Sequence, residues 1–128
     1  MGVKIAWDND EKTIIRYDFS DPWTFEEFHE AMGLDDALFD SVDHKVHMLF
    51  NMMDVRSAPP NLLAKLPQIL TEINPRLGVV VIAESYTWVK SIAEIFYKVY
   101  GRSIEGFSGL KMARSLDDAR QIITDYRA

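Results

Sequence analysis

VHMLFNMMDVRSAPP, residues 46–60, decides the architecture of this chain. Val46 to Met53 is apolar at nearly every position, with only His47 and Asn51 breaking the run. A strand with one wet face would alternate. A run that is apolar on both faces reads as a central strand of a parallel sheet, covered on two sides. The run ends in a charged turn, Asp54 to Ser57, and then in Pro59-Pro60, which suits the first turn of a helix. Such strand-to-helix junctions are where open α/β sheets place their binding sites. The junction holds no catalytic or phosphate-binding motif, and no G-x-S-x-G, P-loop or G-x-G-x-x-G pattern occurs elsewhere in the chain.

Upstream, Val3, Ile5 and Trp7 alternate with polar or small residues, as do Ile15, Tyr17 and Phe19, and the Asp8–Glu11 cluster between them predicts a hairpin. Thr24 and Glu27 form a capping box, so a helix starts near Phe25 and runs to about Val42, with Phe25, Phe28, Met32, Phe39 and Val42 on one stripe. Downstream, residues 61–74 carry a helical apolar pattern in which Pro67 predicts a kink or a restarted helix. Residues 78–84 read as a second buried strand, and 86–100 as a helix that Gly101 stops as a C-cap. Ser103 to Gly109 reads as a loop, Leu110 to Met112 as a last strand, and 116–126 as a helix capped by Ser115 and Asp118. The order ββαβαβαβα predicts one α/β domain over residues 1–128, with a mostly parallel sheet whose first strand is antiparallel at an edge.

An apolar content of 48% with 12% aromatics supports a real core and argues against disorder. The absence of cysteine excludes disulfides and thiolate chemistry. The longest apolar run, Val79 to Ala83, is far short of the ~20 residues of a membrane span, and a cytoplasmic location is expected. Residues 1–43 hold twelve acids against three bases, whereas the remainder is net basic by three. Glu26, Glu27, Glu30, Asp35, Asp36, Asp40 and Asp43 read as a solvated helix face or as a docking face for a basic partner. No basic stripe exists to neutralise phosphates, so nucleic acid is not an expected partner.

Trp7-Asp8, the helix start Pro22-Trp23-Thr24-Phe25-Glu26-Glu27-Phe28, the strand end Asn51-Met52-Met53-Asp54 and the later Ser115-Leu116-Asp117-Asp118-Ala119 together resemble the STAS domains (sulphate transporter and anti-sigma-factor antagonist). The likeness is to their small SpoIIAA-like branch, which is itself compared with lipid-binding domains. It implies a right-handed βα superhelix, sheet order 1-2-3-4-5, and a regulatory, protein-interaction role without catalysis or cofactor. In that family the turn resembles Asp-Ser-Ser/Thr-Gly and its hydroxyl is phosphorylated. Here Asp54 fits the acid, Val55 stands in place of the hydroxyl, no glycine follows, and Ser57 is the nearby candidate phosphosite, out of register.

In a parallel sheet the next corner, Glu84 to Thr87, should lie beside the first. The expected binding rim is therefore Asp54, Arg56, Ser57, Glu84, Ser85 and Thr87, contacting a protein partner or an anionic ligand. Asp54 and Glu84 could be imagined as an acid–base pair, but nothing beside them supplies a nucleophile or a metal, so an enzyme is the least favoured reading. His29, His44 and His47 do not share a face, and no metal site is expected. Met32, Met48, Met52, Met53 and Met112 are either gap-fillers of a core or the wall of a pocket for a lipophilic ligand. Were the helices mainly on one side, the second face of the 46–53 strand would need a cover, from a helix of the same chain, a second subunit or a ligand; with the surplus of Trp88, Phe96, Tyr97 and Tyr100, this suggests a homodimer.

Overall fold

The computed structural model describes residues 2–103 and 109–127. β1 (Val3–Trp7) and β2 (Ile14–Phe19) pair antiparallel, with Val3 opposite Phe19 and Trp7 opposite Ile15. β2 then pairs in parallel with β3 (Val46–Met52), β3 with β4 (Leu77–Glu84), and β4 with β5 (Gly109–Ala113). The sheet order is β1-β2-β3-β4-β5, as expected, with β1 the antiparallel edge strand. Four helices complete the α/β fold: α1 (Phe25–Asp40), α2 (Leu62–Lys65), α3 (Thr87–Tyr100) and α4 (Leu116–Arg127). Among the described residues no helix is long and apolar enough to cross a membrane.

The two-faced character of β3 has a direct structural counterpart. Val46, Met48 and Met52, with Leu77, Val80 and Ile82 of β4, face the larger core under α1 and α3. Leu49, with Val79, Val81 and Ala83 of β4, faces a smaller core closed by Ala119 and Ile123 of α4. The cover over the second face thus comes from the chain itself, and this ground for a homodimer falls away. α4 is further tied to the hairpin by Asp8, whose buried carboxylate accepts from Arg120 Nε and Arg16 Nη1 at 2.9 and 2.7 Å. The Arg120 guanidinium, aided by Arg16, holds that carboxyl below the usual range against the opposing effect of burial.

The capping box forms as its spacing requires: Glu27 N–H donates to Thr24 Oγ1 at 3.1 Å, and Thr24 N–H to Glu27 Oε1 at 3.0 Å. At the other end of α1, where the last turn has no basic residue of its own, Arg76 reaches in from before β4. Its Nη1 and Nη2 donate to the carbonyls of Val42 and Phe39, each at 2.5 Å. A guanidinium on the negative end of a helix satisfies orphan carbonyls and opposes the dipole. Arg76→Ala should therefore lower stability by about 2 kcal/mol, read as a shift in the urea midpoint, while Arg76→Lys should recover only part of it.

The 61–74 segment breaks beside Pro67, as its sequence predicts. The helix over 61–74 is a four-residue α2 followed by a 3₁₀ segment, Leu66–Glu72. Pro67 lacks the N–H that an α-turn would use, and the tighter winding takes over from the residue before it. Gly101 is the C-cap of α3, as read, in a right-handed conformation (φ −55°), and the chain continues into a 3₁₀ turn, Gly101–Ser103. Residues 104–108 of the expected loop lie outside the described residues. The final helix is capped as read, with Asp118 N–H donating to Ser115 Oγ at 3.0 Å.

Candidate functional site

The two corners do lie side by side. Met52, the last residue of β3, stands opposite Glu84, the last of β4, so the turns that follow leave the sheet from adjacent positions. Ser85 Oγ approaches Met53 Sδ at 3.7 Å, and Trp88 Nε1 donates to the Val55 carbonyl at 3.1 Å. Arg56 N–H donates to Asp21 Oδ2 at 2.9 Å, tying the turn to the loop before α1. Asp54, Arg56, Ser57, Ser85 and Thr87 are exposed and Glu84 is half-buried. Among the described residues the side chains of Asp54, Arg56 and Ser57 form no hydrogen bond or ion pair, and neither Asp54 nor Ser57 caps a helix, since α2 starts only after Asn61. Val55, between Asp54 and Arg56 of the turn, is fully buried in the core. Its side chain anchors the turn and offers nothing to solvent.

The histidines are dispersed. His29 pairs with Glu72, His44 Nδ1 meets the Lys45 carbonyl, and His47 is buried in β3, where its Nδ1 accepts from Val79 N–H at 2.9 Å. Among the described residues no three His, Asp or Glu side chains are grouped to hold a metal ion.

The second feature is a cavity of about 130 Å³ beneath α1, the 3₁₀ segment and α3, on the larger-core face of the sheet. β2 contributes Phe19, β3 contributes Met48, Phe50 and Met52, and β4 contributes Val80 and Ile82. Phe28 and Met32 come from α1, Leu66 and Ile69 from the 3₁₀ segment, and Val89, Ile92, Ala93 and Phe96 from α3. The 3₁₀ segment rests on α1 and α3 rests on β4, but the two share few contacts with each other. Of the lining residues, Leu66, Ile73, Ile92 and Phe96 are half-buried and Tyr97 is exposed. On the same elements Leu63 of α2 and Ile95 and Val99 of α3 are exposed.

Three of the five singled-out methionines, Met32, Met48 and Met52, line this cavity, as do Trp88, Phe96 and Tyr97. Met53 packs with the smaller core and Met112 against the larger one. Trp23 also lines the cavity. Its indole Nε1 is buried and has no hydrogen-bond partner among the described residues. In the sequence Trp23 reads only as part of a helix start, and the signal missed there is an indole on the inner side of the β2–α1 connection.

Asp35 is the other residue misread. It belongs to the acidic run, yet it is only 2% exposed, on the inner face of α1, and Tyr17 Oη donates to its Oδ2 at 2.5 Å. Burial pushes its carboxyl up to about 7; the Tyr17 hydroxyl works against this, and the charges of Asp36 and Glu72 add to it. The same pairing, with burial first, pushes the Tyr17 phenol far up. Its spacing from Phe28, Met32 and Phe39 places Asp35 on the apolar stripe, which was the available clue. Of the family models, curated proteins and solved structures compared with this chain, none matches it.

Proposed function

We propose that this chain binds a small lipophilic molecule in the cavity beneath α1 and α3, as a carrier or sensor and without catalysing a reaction. One observation carries this reading: about 130 Å³ of space walled almost wholly by aliphatic, aromatic and thioether side chains. Well-packed interiors leave few voids of that size, and apolar cavities of roughly 150 Å³ stay dry and take up benzene-sized guests. Thioethers at three positions of the wall let it adapt to a guest's outline.

The test is a titration with ethylbenzene followed by tryptophan fluorescence, beside native mass spectrometry of freshly purified protein for a retained adduct. Saturable binding is expected. Ala93→Phe places a ring in the cavity from α3 and should weaken ethylbenzene by about tenfold or more, while thermal stability is held or raised because a void is filled. Absence of saturable binding, or equal binding by wild type and Ala93→Phe, overturns the assignment.

The rim supports a second reading, a contact surface for a protein partner of the kind the STAS resemblance implies. It is favoured by Asp54 and Arg56, charges held in solvent with no partner of their own among the described residues. Such charges are available to complement another surface. Asp54→Ala and Arg56→Ala should each weaken capture of a partner that the wild-type chain retains, by about fivefold at physiological salt. Undiminished capture by both variants removes the rim from consideration.

A further inference from the structure

We infer that the open edge of β1, with the groove between it and α1, is a docking site for an extended segment of a partner protein, one that carries an apolar side chain flanked by Lys or Arg on its groove-facing side. The segment adds to the sheet as a further strand beyond β1. This edge is separate from the Asp54 and Glu84 corners, which follow β3 and β4.

β1 ends the sheet and is paired on one side only. The even positions of this segment bond to β2: Ser20 N–H donates to the Gly2 carbonyl and Asp8 N–H to the Ile14 carbonyl, each at 2.8 Å. Antiparallel alternation then turns the amides and carbonyls of Val3, Ile5 and Trp7 to the open side, and among the described residues none of these groups has a hydrogen-bond partner. Such a row is a template for another strand, and apart from Lys4 β1 has no charge, no proline and no bulge to deter one. Beside it lies an open groove of about 380 Å³, where Val3 and Ile5 of β1 and Ala31 and Leu34 of α1 supply apolar surface. Leu34 is 61% exposed. Lys4, Glu27 and Glu30 also line the groove. Glu27 is engaged by the amides of Thr24 and Gly2, whereas Glu30 is exposed and forms no ion pair among the described residues. α1 carries Glu26, Asp36 and Asp40 besides, and no Lys or Arg. That charge selects the occupant. Antiparallel pairing with β1 of a second copy would bring two such helices onto one face of a joined sheet and set like charges together. A basic strand meets opposite charge instead, and its central apolar side chain covers Leu34.

The probe is the peptide acetyl-Thr-Lys-Thr-Val-Thr-Arg-Thr-amide, whose Lys, Val and Arg share one face when extended, beside a control with Glu in place of Lys and Arg. Each is titrated into the full chain, with affinity and backbone amide exchange followed by NMR. The basic peptide should bind about tenfold tighter than the acidic one, and its binding should weaken as salt is raised. On binding, exchange at the Val3, Ile5 and Trp7 amides should slow by about tenfold or more, while Lys4 and Ala6, already bonded to β2, change little. Glu30→Lys, at an exposed position, should weaken the basic peptide by about fivefold and strengthen the acidic one. Exchange is read on the wild-type protein, so the outcome does not depend on the variant folding. Equal affinity for the two peptides, or unchanged exchange at Val3, Ile5 and Trp7, overturns the inference. Slow exchange at those three amides without peptide, in a chain of dimeric mass, overturns it in favour of a second copy.

Discussion

Gly78→Ala should destabilise this protein by roughly 4 kcal/mol, a large share of what a domain of this size has. The reason lies in an irregularity of the central strand pair. Val46 stands opposite Leu77, but Met48 stands opposite Val80, so Gly78 and Val79 of β4 face the single residue His47. The side chain of His47 closes the gap. Its Nδ1 carries a lone pair that accepts Val79 N–H, replacing the ladder bond that the extra residue interrupts. A Cβ at position 78 would meet Nδ1 and would stand 2.5 Å from Cε1. The ring has no free direction to take. It is 7% exposed, set edge-on to Tyr126, and any swing releases a buried amide. Urea unfolding measures the loss, and most of it should vanish when Gly78→Ala is made in a His47→Ala background, because the two substitutions share one contact. Gly33→Ala is the opposite case. Gly33 lies exposed in the middle of α1 with nothing near its missing Cβ, and alanine there should add about 1 kcal/mol. A Gly78→Ala loss below about 1 kcal/mol would mean that the ring yields freely and that the strand irregularity does not depend on it.

That irregularity was not legible from residues alone. His47 looked like a polar interruption in an apolar run, whereas it repairs the backbone at the one place where the β3–β4 register slips. The strand itself was legible, because parallel strands packed on both faces have no polar positions to spare. The helix starts were legible too, since Thr24 with Glu27 and Ser115 with Asp118 satisfy orphan amides by spacing alone. The break beside Pro67 was legible from its missing N–H, but the 3₁₀ winding was not, because an apolar stripe at positions three and four apart serves a 3₁₀ segment nearly as well as an α-helix. The adjacency of the Asp54 and Glu84 corners followed from strand order. The cavity did not, because its wall draws on Phe19, Met48 and Ile92, residues far apart in sequence that only the packing brings together. The surplus of methionine and of aromatics in α3 was its one trace.

Stability should fall as pH rises from about 4 to about 7, and Asp35 is the cause. In the unfolded chain its carboxyl titrates near the ordinary value of about 3.9. In the fold, burial pushes it up to about 7, so the native state holds the proton more tightly over that interval. The contribution is fully present below about pH 4, declines as the pH climbs, and is gone above about 7; at about 1.4 kcal/mol per unit it amounts to roughly 4 kcal/mol. Asp8 acts with the opposite sign and in a different window. Its carboxyl is held low by Arg120 and Arg16, so its contribution is present above about pH 4 and lost only as the pH falls further. Asp35→Asn isolates the effect. The amide oxygen can still accept from the Tyr17 hydroxyl, and the side chain has the shape of the protonated acid but cannot ionise. Urea midpoints from pH 4 to 8 should slope downward for the wild type and run nearly flat for Asp35→Asn, with the variant more stable by about 3 kcal/mol at pH 8. A wild-type profile flat between pH 5 and 7 would show that Asp35 is already charged there. In that case the Tyr17 hydroxyl, which favours the anion, would outweigh the desolvation of a side chain sealed between α1 and the sheet.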